Sequence, residues 1–172
     1  MKPKKLTTLA LYVTLSLAIY AAESALPPLV PIPGIKPGLS NIITLILLRH
    51  YSFRETALVL TARILLSTLL FGRLLSLFYS LAGGLFSLLA MFFTGRLLQQ
   101  KAVFLTGAMG GLTHNLGQLL VAFFLTATPG VLSYLPFLVL SGILTGLFTG
   151  FTAAFADKYL LPHIGGDDFS SS

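Results

Sequence analysis

The 172-residue sequence contains no cysteine and no tryptophan, and only 9% of its residues are charged. The absence of cysteine excludes a disulfide scaffold and a thiolate metal site. Soluble domains carry about 25% charged residues because their surfaces face water. With 55% hydrophobic residues and a mean hydropathy of +0.90, the chain is also too apolar for a disordered protein. The composition therefore predicts an integral membrane protein.

Motifs for catalysis and nucleotide binding are missing as well. The sequence has no D-D-x-x-D pair to hold magnesium against a diphosphate, no P-loop and no G-x-S-x-G nucleophile turn. Its His, Asp and Glu residues do not follow the spacing of a metal site. We therefore expect a protein that is not an enzyme and has no catalytic residue, metal ion or cofactor.

Six apolar runs predict six transmembrane helices, because about 20 apolar residues are needed to cross the hydrocarbon core. The second run is too short to span alone, and we expect it to be tilted or packed inside the bundle. The runs are 6–26, 39–48, 55–71, 74–93, 103–127 and 131–161. The sequence thus predicts an all-α integral membrane protein with one six-helix domain over residues 1–161 and a polar, disordered tail over 162–172.

The distribution of lysine and arginine predicts the orientation, since these residues accumulate in cytoplasmic loops. With the N-terminus inside, eight of the eleven basic residues are cytoplasmic, two lie outside and Arg63 falls within the third run. The eight are Lys2, Lys4, Lys5, Arg49, Arg54, Arg96, Lys101 and Lys158, and the two are Lys36 and Arg73. Both termini are therefore expected in the cytoplasm. Because the basic residues do not form one stripe, they do not indicate nucleic-acid binding.

Strongly polar residues inside the predicted helices require a reason, because an unpaired charge at the bilayer centre costs about 3 kcal/mol or more. Glu23 lies near the outer end of the first helix and Arg63 lies halfway along the third. On the fifth helix His114 and Gln118 share a face, and Asn115 lies in the neighbouring row. In a structural interpretation, Arg63 pairs with Glu23 and the other three form interhelical hydrogen bonds. We favour the alternative that the set lines a ligand-binding pocket that opens to the outside.

Residues 27–41 read PPLVPIPGIKPGLSN and contain five prolines and two glycines. Proline fixes φ and lacks an N–H donor, so we expect a stiff, extended loop on the outer side between the first two helices. Two interpretations remain open, a plain connector and a lid over the pocket. As a lid, the loop would direct the positive charge of Lys36 toward an anionic ligand, with Asn41 at the start of the second helix.

Small residues recur every four positions on two of the predicted helices. They are Ala10, Thr14, Ala18 and Ala22 on the first, and Gly142, Gly146, Gly150 and Ala154 on the sixth. Such rows let helix backbones approach closely in lipid. Each row predicts either a contact within the bundle or the docking of another membrane subunit.

Four segments together resemble a bacterial membrane family. They are the stretch around PIPGIKPGLSNI, RILLSTLLFG from Arg63 to Gly72, SLAGG from Ser80 to Gly84, and HNLGQ from His114 to Gln118. The family carries two names, the Gx transporter family and heptaprenyl diphosphate synthase component I, and the resemblance covers about residues 6–161. More distantly, the six-helix plan is similar to the substrate-binding S components of energy-coupling factor transporters.

The distant resemblance implies an S-component-like bundle, the substrate-binding subunit of an energy-coupled transporter, with a membrane coupling subunit and ATPases as partners. Its small ligand would be anionic and vitamin- or flavin-like, given the basic and aromatic residues of the chain. The candidate ligand contacts are Glu23, Lys36, Asn41, Arg63, His114, Asn115 and Gln118, and the candidate docking residues are Ala10, Thr14, Ala18 and Ala22.

The older family name implies an alternative function, a non-catalytic membrane component of heptaprenyl diphosphate synthase in the synthesis of menaquinone side chains. The missing aspartate motifs are compatible with such a role. Both interpretations imply a multi-pass protein of the bacterial cytoplasmic membrane.

Overall fold

The computed structural model describes residues 3–25, 35–71 and 74–160. These ranges form six α-helices and no strand. The helices are α1 (Pro3–Ser24), α2 (Asn41–His50), α3 (Phe53–Phe71), α4 (Leu74–Leu97), α5 (Val103–Thr126) and α6 (Leu135–Phe155). A 3₁₀ turn over Pro129–Tyr134 precedes α6, and a π-helical turn over Ala156–Leu160 follows it. The predicted tail over 162–172 and most of the proline-rich loop lie outside the described residues.

Four helical segments are long and apolar enough to cross a membrane. They are Pro3–Ser24, Leu74–Leu97, Val103–Thr126 and Pro129–Tyr159. Helix α3 is not among them, because its 19 residues include three charged ones. Helix α2 has only ten residues, of which seven are buried, so it lies packed inside the bundle, one of the two placements expected of so short a run. The fold is that of a helical membrane protein, whereas six complete spans and the orientation stay predictions.

Ion pairs gather several helix ends at one end of the bundle. Arg49 and His50, the last residues of α2, pair with Asp157 in the π-helical turn after α6. Lys5, near the start of α1, pairs with Glu55 in the first turn of α3. We call this the basic end, and we call the opposite end, where α1 ends and α2 begins, the loop end.

Helices α5 and α6 make the most extensive contact of the bundle, and glycines form its centre. They are Gly107 and Gly111 on α5 and Gly142, Gly146 and Gly150 on α6. A Cβ added to Gly146 would lie 2.7 Å from the Cα of Ala108, so the two backbones touch directly. The glycine row of α6 therefore makes a contact within the bundle, and it is not a docking face for another subunit.

The sixth helix begins later than its apolar run predicts. Helix α6 starts at Leu135, whereas the run starts at Val131. Pro136 occupies the first turn of α6, where its missing N–H is tolerated, but its ring prevents an α-helix from continuing back toward Val131. Residues 129–134 form the 3₁₀ turn instead. The predicted run thus coincides with the apolar helical segment Pro129–Tyr159, in which the α-helix itself begins four residues after Val131.

Candidate functional site

Polar side chains from four helices and the loop meet at the loop end of the bundle. This polar cluster consists of Tyr20 and Glu23 of α1, Lys36 and Ser40 of the loop, Asn41 of α2, Arg63 of α3, and His114 and Gln118 of α5. All of them are buried except Lys36, which is half-buried. Six of the seven candidate ligand contacts thus come together, and the exception is Asn115.

Glu23 holds the loop that precedes α2. Its carboxylate is 4% exposed and accepts hydrogen bonds from the backbone N–H groups of Gly38 and Leu39. Gly38 adopts a φ of +83°, a left-handed conformation that is open to glycine without steric cost. Glu23 and Arg63 are near enough to interact electrostatically. In the described part of the chain, however, the direct ion pair of the structural interpretation is not formed.

Lys36 ties the same loop to two helices. Its ammonium group lies 3.5 Å from the centre of the Tyr20 ring and donates a hydrogen bond to Ser24 Oγ of α1. Its backbone N–H donates to Gln118 Oε1 of α5 at 3.2 Å. The described end of the proline-rich loop therefore lies against the polar cluster, in the position that a lid would occupy.

The Arg63 side chain extends from α3 to the start of α2, and only part of its hydrogen-bonding capacity is used. The side chain is 2% exposed, and its Nη1 donates to Ser40 Oγ at 2.8 Å. The other terminal nitrogen, Nη2, is buried and has no hydrogen-bond partner among the described residues. The guanidinium carbon lies 5.8 Å from the centre of the Tyr20 ring. Tyr20 in turn shares a hydrogen bond of 2.9 Å with Ser76 Oγ of α4.

His114 and Gln118 contact each other on one face of α5, as their four-residue spacing predicts. Gln118 Nε2 lies 2.9 Å from His114 Nε2. Because an amide nitrogen can only donate, the imidazole accepts at Nε2 and carries its proton on Nδ1. That Nδ1 forms no hydrogen bond of normal geometry, but it lies on the side of the ring that faces the backbone of Gly83 in α4. A Cβ added to Gly38 would lie 2.7 Å from the ring, and one added to Gly83 would lie 2.8 Å from it, so the imidazole fills the space between the loop and α4.

Asn41 adds further unused hydrogen-bonding groups to the cluster. It is 1% exposed, and neither its Oδ1 nor its Nδ2 has a partner. Leaving such a buried group unsatisfied costs about 1–3 kcal/mol. Among the described residues, four of the five buried side-chain atoms without a partner belong to Asn41, Arg63 and His114. Unsatisfied polar groups are therefore concentrated at one place in the protein.

Asn115 lies outside the cluster and links α5 to α6. Its Nδ2 donates to the backbone oxygen of Leu138 at 2.8 Å and to Ser141 Oγ at 3.1 Å. This is the interhelical hydrogen bonding of the structural interpretation. Asn115 follows His114 directly, and the 100° rotation between consecutive helical residues directs its side chain toward α6.

The small-residue row of α1 takes no part in packing within the described chain. Ala10, Thr14, Ala18 and Ala22 are all exposed. The Thr14 hydroxyl donates to the backbone oxygen of Ala10 at 3.1 Å, which satisfies it within the helix. The row therefore forms a face of small, exposed side chains on α1, which no described residue buries.

The sequence analysis missed four residues of the site or of its immediate support. They are Tyr20, Gly38, Ser40 and Ser76. Serine, tyrosine and glycine are common in membrane helices and loops, so none of them stands out by type. The available signal is position, since Gly38 and Ser40 lie just before the start of α2, where glycine and serine are typical turn and cap residues.

Gly38→Ala is expected to lower the free energy of unfolding by about 2–3 kcal/mol, because it combines backbone strain at positive φ with a steric contact to His114. The measurement is thermal unfolding of the purified protein in detergent. Gly130→Ala is the matched control, because a Cβ there would meet only Thr128 Cγ2 at 3.6 Å. Equal stability of the two variants would show that the loop does not rest on the imidazole.

The described ranges contain no group of three His, Asp or Glu side chains that could hold a metal ion. A family described as heptaprenyl diphosphate synthase component I matches residues 12–156, which is most of the chain. No curated protein matches, and no solved structure does.

Proposed function

The chain belongs to the heptaprenyl diphosphate synthase component I family, and from this premise we propose that it is the non-catalytic, membrane-embedded component of such a synthase. The match over residues 12–156 carries the proposal. Prenyl transfer needs aspartates that hold magnesium against the diphosphate, and the sequence has no such motif. The chemistry would therefore lie on a partner, the component II subunit that the family name implies.

The basic end is the proposed contact surface for component II. Arg54, Arg96 and Lys101 are exposed there. Arg49 is engaged with Asp157 and with the α4–α5 connection, and it would help to hold the surface in shape. The positive-inside rule supports an orientation in which this end faces the cytoplasm of a bacterium and six helices span its membrane.

Charge reversal at the basic end tests this assembly. We expect co-expressed component II to co-purify with the wild-type protein, and we expect the double variant Arg96→Glu/Lys101→Glu to retain about a tenth of it or less. Thr128→Glu, which adds a charge to an exposed residue at the loop end, is the control and should retain all of it. Absence of component II from the wild-type preparation would contradict the proposal.

A second candidate function is favoured by the polar cluster. In it the protein binds a small anionic, vitamin- or flavin-like ligand as the S-component-like subunit of an energy-coupled transporter. Ligand contacts would come from Glu23, Lys36, Asn41, Arg63, His114 and Gln118, with Asn115 bracing α5 behind them. The exposed row of Ala10, Thr14, Ala18 and Ala22 would dock a membrane coupling subunit that carries ATPases. The same co-purification distinguishes the two functions, because it would recover a coupling subunit in place of component II.

A further inference from the structure

The charges of the polar cluster sum to one positive charge. The buried Arg63 and the half-buried Lys36 supply two positive charges, and the buried Glu23 supplies one negative charge. Glu23 is already occupied by two backbone N–H groups and does not contact Arg63 directly. A buried guanidinium in a membrane bundle is stable only when acceptors surround it, and among the described residues only Ser40 accepts from it.

Two donors of the cluster are buried without a hydrogen-bond partner among the described residues, Arg63 Nη2 and Asn41 Nδ2. Arg63 bonds Ser40 and Asn41 is the next residue, so both groups lie at the N-terminus of α2. The positive end of that helix dipole favours a negative charge at the same place. Two unpaired donors, one of them on the cationic Arg63, thus lie at the N-terminus of a helix.

We infer that the polar cluster is a binding site for a single oxyanion group, a carboxylate or a phosphate, and that Glu23 is its internal competitor. In the structure the Glu23 carboxylate takes the N–H groups of Gly38 and Leu39. An incoming oxyanion would bind Arg63 Nη2 and Asn41 Nδ2. It would compete with Glu23 for the N–H groups of Gly38 and Leu39 and for the electrostatic attraction of Arg63. This inference rests on the ligand-binding function proposed for the cluster and assigns Glu23 a role opposite to that of a ligand contact.

The test is an anion titration of the purified full-length protein in detergent, with inorganic phosphate and acetate as probes and chloride at matched ionic strength as the blank. We expect saturable binding of at least one probe. Glu23→Gln keeps a carbonyl oxygen for the loop amides and removes the competing charge, so it should bind the probe at least about tenfold more tightly. Arg63→Gln should bind it at least about tenfold more weakly.

Further variants keep the test decisive if Arg63→Gln does not fold. Asn41→Ala removes an amide that has no partner, so it should leave the unliganded protein as stable as before and weaken anion binding several-fold. Arg54→Gln, at the exposed basic end, is the matched control and should bind as the wild type does. Absence of binding by both probes, or an affinity unchanged in Glu23→Gln, would overturn the inference.

The source of the oxyanion is found by repeating the titration in nanodiscs. If phosphatidylglycerol blocks the probe and phosphatidylcholine does not, the natural occupant is a lipid headgroup. If neither lipid blocks it, the occupant is a soluble anion. Since the titration needs no partner subunit, anion binding without capture of component II would refute only the synthase assembly. Capture without anion binding would refute only the site.

Discussion

Replacing Gly146 with leucine is expected to prevent the bundle from folding, and replacing it with alanine is expected to lower the free energy of unfolding by about 2–4 kcal/mol. A Cβ at this position would lie 2.7 Å from the Cα of Ala108, so it meets backbone and not a movable side chain. The whole α5–α6 contact would have to separate to admit it. In lipid that contact depends on van der Waals packing, which falls steeply with distance.

Two other glycines provide comparisons for thermal unfolding in detergent. A Cβ at Gly110 would meet the side chain of Met91, whose three rotatable bonds allow it to move, so Gly110→Ala should cost less than Gly146→Ala. Gly130→Leu should cost little, because a Cβ there meets only Thr128 at 3.6 Å. If Gly146→Leu unfolds at the temperature of Gly130→Leu, the glycine contact does not hold the bundle together.

Most of the helical architecture follows from the sequence. Long apolar runs ended by charges, proline or glycine place α3, α4 and α5 within a few residues of their observed bounds, because lipid permits little else than helix in such runs. The start of α6 does not follow in the same way. Hydropathy is continuous across Pro136, and only the backbone geometry of proline sets where the helix begins.

The sequence could predict most residues of the polar cluster, but it could not predict the hydrogen bonds between them. Strongly polar residues in membrane helices are rare, so Glu23, Arg63, His114 and Gln118 identify themselves by type. Which groups they contact depends on helix rotation and on the path of the loop. Glu23 accepts hydrogen bonds from loop N–H groups and does not pair with Arg63. The spacing of residues along the chain cannot indicate this choice of partner.

Asn115 shows the same limit on a smaller scale. It lies next to His114 in sequence and close to the cluster along α5, yet its amide belongs to the α5–α6 contact. The sequence specifies that the two side chains lie about 100° apart on the helix. It does not specify on which side α6 lies, because that depends on the packing of the glycine rows.

Helix α2 connects the two ends of the bundle. Its first residue, Asn41, belongs to the polar cluster, and its last two, Arg49 and His50, pair with Asp157 at the basic end. Seven of its ten residues are buried, so it cannot shift without disturbing the helices around it. One buried helix therefore joins the polar cluster to the basic end.

The second large effect is expected for Glu23→Ala, which should lower the free energy of unfolding by about 3–5 kcal/mol. The substitution leaves the N–H groups of Gly38 and Leu39 without acceptors in a buried site. It also removes the carboxylate whose field partly offsets the charge of Arg63. Glu23→Gln should lose less, about 1–2 kcal/mol, because its amide oxygen can still accept from the loop.

Glu55→Ala is the matched control for this loss, measured by thermal or detergent-induced unfolding. Glu55 is also a helical carboxylate with a basic partner, but that partner, Lys5, has a side chain that is 42% exposed. Water replaces such an interaction readily, and the Ser52 N–H that Glu55 also accepts from is exposed, so the expected loss is about 1 kcal/mol. Equal losses for Glu23→Ala and Glu55→Ala would mean that the loop is not held by Glu23. Phosphate or acetate can also be added to Glu23→Ala. If either anion restores the lost stability, an external oxyanion replaces the Glu23 carboxylate, as expected if Glu23 both holds the loop and competes with the anion.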